Sequence, residues 1–109
     1  METTSLSGLT EQHLAIARQA SSGRSAHTVH GGTASVLRQT LIALAGGQQL
    51  DEHESPGEAT LQVLHGHVRL VAGTDEQAGD AGDLLVIPNR RHSLKAVDDS
   101  VVLLTVAKS

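Results

Sequence analysis

The sequence predicts an all-β fold: a small antiparallel β-barrel with one short N-terminal helix packed outside it. Three observations predict it. Only one stretch, near the N-terminus, carries a helical apolar period; the remainder breaks into short Val-, Leu- and Thr-rich runs of strand length. Those runs are separated by Gly31-Gly32, Gly46-Gly47, Pro56-Gly57, Ala72-Gly73 and Ala78-Gly79, pairs that suit tight turns. Helices do not alternate with the strands, so a closed or sandwiched antiparallel architecture is expected rather than α/β.

The elements follow in order. Residues 1–8 are polar and read as a loose tail. Thr10 then reads as a helix N-cap, with Leu9 and Leu14 placed to pack across it as a hydrophobic staple. Leu14, Ile16, Ala17 and Ala20 form a short apolar face, and Ser22-Gly23 stops the helix. This divides the chain into 1–23, tail and helix, and 24–109, the β unit. From Arg24 the period changes. Residues 36–44 are β-rich, 60–71 form a second stretch interrupted at His65-Gly66-His67, and 84–87 and 101–106 are continuous apolar runs.

Composition narrows the function. The 109 residues contain no Phe, Trp or Tyr, so the core is built from Leu, Val, Ile and Ala. Any pocket is then walled without aromatic rings, which removes stacking on bases, sugars or flavins. The formal net charge is −4 and the basic residues are scattered, so no stripe for nucleic acid is present. There are no cysteines, which excludes disulfides and thiolate chemistry. No apolar run reaches membrane length, and the start METTSLSGLT lacks the basic and apolar regions of a signal peptide. The expected location is cytoplasmic, with no nucleic-acid or membrane partner.

Two half-motifs carry the chemistry. Gly47, five residues, His53, then Ser55-Pro56-Gly57-Glu58 and Gly66 make the first. Gly82, five residues, Pro88, then His92 make the second. Each places one His at a strand start. Together, across about residues 36–106, they resemble the paired motifs of the cupin superfamily, in its small, RmlC-like, conserved-barrel form. The resemblance implies a cupin or jelly-roll barrel whose interior can hold a metal on His and Glu side chains. Against the family pattern, Ser55 stands where a second His is usual and Ala59 where the Glu seven residues before the Gly would stand. His92 follows Pro88 by four residues rather than five, Arg90 replaces a usual Gly, and Ala96 a usual Asn. The metal motif is therefore degenerate.

A catalytic ion normally has three or more protein ligands. His53 and His92 supply two. Asp51 shares the strand parity of His53 and is a candidate third ligand or orienting partner. Glu58 is another, if the Pro56-Gly57 turn shifts the register. The expected pocket comprises His53, Ser55, His92 and Asp51, with no residue assigned to catalysis. The leading reading is a non-catalytic small-molecule-binding or sensing protein, with no cofactor or a weakly bound divalent metal (Zn, Fe, Mn or Ni). The alternative is a metal-dependent enzyme, dioxygenase- or isomerase-like, acting on a small polar substrate. The resemblance also implies a homodimer.

The remaining His and basic residues read as structural. His65-Gly66-His67 is an exposed turn. His27 and His30 lie in strand or loop, where a spacing of three does not converge. His13 is solvated in the helix, and Arg90-Arg91 is a surface turn. Ser55 and His53 on one strand make a poor relay for serine hydrolysis.

Overall fold

A computed structural model describes residues 1–55 and 57–108; Pro56 of the first motif and Ser109 lie outside the described residues. The first element is the helix α1, Leu6–Gln19. It begins well before the expected start because Ser5, not Thr10, is the N-cap: the Ser5 side chain accepts the Gly8 N–H at 3.1 Å. Thr10 instead donates its hydroxyl back to the Leu6 carbonyl at 2.8 Å. Leu6 and Leu9 continue the apolar face of Leu14 and Ala17, which recruits the supposed tail into the helix. The backbone turns extended at Ala20, close to the expected stop.

Among the described residues nine strands follow: β1 Arg24–His30, β2 Leu37–Leu44, β3 Gln49–His53, β4 Glu58–His65, β5 His67–Ala72, β6 Asp75–Asp80, β7 Leu84–Val86, β8 His92–Ala96 and β9 Ser100–Ala107. They form two antiparallel sheets. One has the order β1-β2-β9-β4-β7 and the other β3-β8-β5-β6. This is the expected jelly-roll-like all-β architecture, with two sheets face to face.

The core lies between the sheets. Leu61, Val63, Val102 and Val106 from the larger sheet meet Val68, Leu70, Leu94 and Ala96 from the smaller one. A second apolar layer lies on the outer face of the larger sheet. There Leu14 and Ala17 of α1 pack on Leu41, Ala43, Val101 and Leu103. β9 is thus covered on both faces, which explains its unbroken apolar run. His13, expected in solvent, is buried in this layer, its Nδ1 2.7 Å from the Ser25 hydroxyl and its ring 5.3 Å from that of His27. The helix is fastened at its other end by Arg18, which donates to Asp99 at 2.6 Å. No helix among the described residues is long and apolar enough to cross a membrane.

Candidate functional site

β3 and β8 run antiparallel at one end of the smaller sheet and make His53 and His92 direct cross-strand partners. Sequence separation is irrelevant to this pairing, since register alone decides which residues face each other. The two rings meet edge to face, with centroids 4.5 Å apart and planes at 62°. His53 closes β3 rather than starting it, whereas His92 opens β8.

Each imidazole is held in the same way. His53 Nδ1 donates to the Asp51 carbonyl at 2.9 Å, and His92 Nδ1 donates to the Arg90 carbonyl at 2.9 Å. A carbonyl only accepts, so Nδ1 carries a proton in both rings, and in the neutral form Nε2 keeps its lone pair. His92 is only 3% exposed, while His53 lies at the surface. Behind the pair is a cavity of about 50 Å³ between the sheets, walled by Leu50, Leu61, Leu70, Ile87, Leu94 and Leu104. That volume suits a water or a few atoms of a ligand.

The other candidate residues stand elsewhere. The register slips between Leu50 and His53, a bulge that adds one residue to β3. Leu50 and His53 both line the cavity as a result, and Asp51 faces away, its carboxylate accepting from Gln49 Nε2 at 3.1 Å. The parity argument for Asp51 fails because strict alternation ends at the bulge. Ser55 is half-buried and donates to the Gly57 carbonyl at 2.9 Å; it is not in the cavity wall. Glu58 is exposed and Ala59 is buried in the core, so the strand keeps the register that turns Glu58 outward. Among the described residues no group of three His, Cys, Asp or Glu side chains is placed to hold a metal ion. The donor set is two imidazoles with no carboxylate beside them, which does not fit a tightly held catalytic ion.

Next to the mouth, Arg91 donates to Glu52 at 2.9 Å and to Glu54 at 3.2 Å. The hydrogen bond to Glu52, then that to Glu54, pushes the guanidinium up from its ordinary value, so it stays cationic. Arg90 pairs with Asp75 across the strand edges. The contacts of both arginines are nonlocal, and no sequence signal announces them. His65 and His67 are exposed around the β4–β5 turn. The His67 Nδ1 hydrogen bond to Asp80, at 2.7 Å, is the main cause that raises its pKa.

No protein-family model and no curated protein matches the sequence. Solved structures do resemble it. A conserved protein of unknown function from Streptococcus pyogenes is 26% identical with a TM-score of 0.73, over 83% of this chain and 78% of that one. An RmlC-like cupin from Desulfovibrio desulfuricans is 28% identical with a TM-score of 0.67, over 77% and 81%. A cupin superfamily protein from Desulfitobacterium hafniense is 15% identical with a TM-score of 0.72, over 79% and 78%.

Proposed function

Because the chain is a small cupin domain by its fold, we propose that it is a non-catalytic small-molecule-binding or sensing protein, with His53 and His92 as its polar anchor. The observation that supports this is the pair of imidazoles, each oriented by a carbonyl at Nδ1, set against an apolar cavity. Two neutral acceptors in such walls favour a ligand that donates hydrogen bonds. A divalent ion there would have no negative ligand to offset its charge, so Zn, Fe, Mn or Ni binds weakly or not at all.

A second reading, a metal-dependent enzyme on a small polar substrate, has one observation in its favour. An Nδ1–H held by a carbonyl is the orientation that metal-ligating histidines commonly take. It requires Asp51 or Glu58 to turn inward as a third ligand.

The test is the metal content of chain purified without a His tag, followed by calorimetric titration with Zn, Mn and Ni. The expected result is substoichiometric metal and a Kd of about 10 µM or weaker. One tightly bound ion per subunit, lost in His53→Ala, would overturn the proposal and bring the enzyme reading forward. We also propose a homodimer, since so small a chain gains buried area by pairing. Light scattering at micromolar concentration showing a monomer would refute it.

A further inference from the structure

The cavity behind the histidines takes only a few atoms of a ligand, and a larger opening lies elsewhere. β6 and β7 are consecutive in the chain yet belong to different sheets, each at the edge of its own. Their joining turn is tied by Asp83, whose carboxylate accepts the Asp80 N–H at 2.8 Å. Between the two edges is an open cleft of about 430 Å³, within the range that small-molecule sites occupy. Leu70, Ala72, Leu85 and Pro88 contribute apolar surface to it. Leu84 and Val86 of β7 also line it and are 62% and 75% exposed. Large apolar side chains on an uncovered edge strand are normally avoided unless something covers them.

The charged residues of the cleft set the ligand chemistry. Arg90 reaches from the β7–β8 loop to Asp75, the first residue of β6. Only its Nη2 is engaged with a protein carboxylate among the described residues, which leaves other donors of the fork open. Glu76 is already neutralised by Arg69 at 3.1 Å. What remains is one cation facing one carboxylate, both more than half exposed. Such a pair contributes little stability and is easily exchanged. An incoming anion would strand Asp75, and an incoming cation would strand Arg90. A ligand that carries both charges strands neither.

We infer that this lateral cleft binds a small zwitterion with an aliphatic body, the chemistry of an aliphatic α-amino acid. Its carboxylate sits on Arg90, its ammonium on Asp75, and its side chain on Leu70, Leu85 and Pro88. The site shares the Leu70 side chain with the wall of the His53–His92 cavity but none of its polar groups, and it stands or falls without the histidines.

Methyl-labelled full-length chain tests this by NMR titration with L-leucine, with 4-methylpentanoate and with 3-methylbutan-1-amine. The last two carry the same body with only one charge. Leucine is expected to shift the methyls of Leu70, Leu85 and Val86 saturably, with each half-ligand at least about tenfold weaker. Arg90→Gln and Asp75→Asn should each weaken leucine by about tenfold as well. The three-probe comparison on the unmodified chain needs no variant to fold. Equal binding of leucine and either half-ligand would overturn the inference. So would shifts confined to Leu50 and Leu104 beside the histidines, or no saturable shift up to about 10 mM.

Discussion

Replacing Gly66 by Ala should cost far more stability than the same change at Gly47. Gly66 turns the chain from β4 in one sheet to β5 in the other, at φ +86°. A methyl there would overlap the Asp99 carbonyl oxygen and the Ser100 hydroxyl, and lie 2.9 Å from Ser100 Cα. Those atoms cannot swing aside. Ser100 is buried, and its hydroxyl accepts the His67 N–H at 3.1 Å while donating toward the carbonyls of Asp98 at 2.7 Å and His67 at 3.0 Å. Gly47 has the same kind of backbone, φ +90°, but a methyl on it would meet nothing within 4 Å. Both substitutions carry the left-handed cost of about 1 kcal/mol. Gly66→Ala adds about 1 kcal/mol for each of two disturbed hydrogen bonds and about 1–3 kcal/mol of steric strain. The difference between the two variants is therefore about 3 kcal/mol or more. Urea unfolding followed by far-UV circular dichroism reads it, since the chain has no Trp or Tyr for fluorescence. With a slope of about 1–2 kcal/mol/M the midpoints should separate by about 2 M. Equal midpoints would refute the argument that close approach, rather than backbone conformation, demands glycine at this turn.

Three further outcomes are expected. The hydrogen bond to Asp80, then the charges of Asp80 and Asp98, raise the His67 pKa above 6.5 despite some desolvation. Its contribution is therefore present below pH 6.5 and lost as pH rises through the folded value, so His67→Gln should lose stability relative to the parent in acid and converge with it in alkali. Asp99 runs the other way. The Arg18 hydrogen bond, then the Gly46 N–H, lowers its pKa below 3.8, so the gap between Asp99→Asn and the parent should hold above pH 3.8 and close as pH falls through the folded value. In the helix–sheet layer, Ala17 is fully buried; Ala17→Leu should cost about 1–3 kcal/mol by overpacking. Ile16→Leu, on the exposed side of the same turn, should change the unfolding midpoint very little.

Sequence alone determined the parts of this protein whose burial is written into local pattern. β9 is legible because its residues are covered by the opposite sheet on one face and by α1 on the other, which leaves a continuous apolar run. The second half of β2 is legible for a similar reason, β4 by its alternation of buried Ala59, Leu61 and Val63 with less buried neighbours, and the Gly-rich turns mark where both end. β6, with the sequence DEQAGD, is invisible to the same reading. Only Gly79 is buried, and the strand exists because β5 supplies its hydrogen-bond partners. The helix start was misplaced because a polar tail and a capped first turn have nearly the same composition; what separates them is the sheet against which Leu6 and Leu9 pack. The two half-motifs nominate His53 and His92, but tertiary structure decided what surrounds them. A one-residue bulge in β3 turns Asp51 outward and keeps His53 with Leu50, and nothing in Leu50-Asp51-Glu52-His53 specifies that bulge without β8 beside it. The lateral cleft is still further from the sequence, since it requires two sheets to end at neighbouring strands and Arg90 to meet Asp75 across them. Burial of a strand leaves its trace in that strand's own residues. Register and edge geometry are properties of pairs of strands, and one strand's residues do not record them.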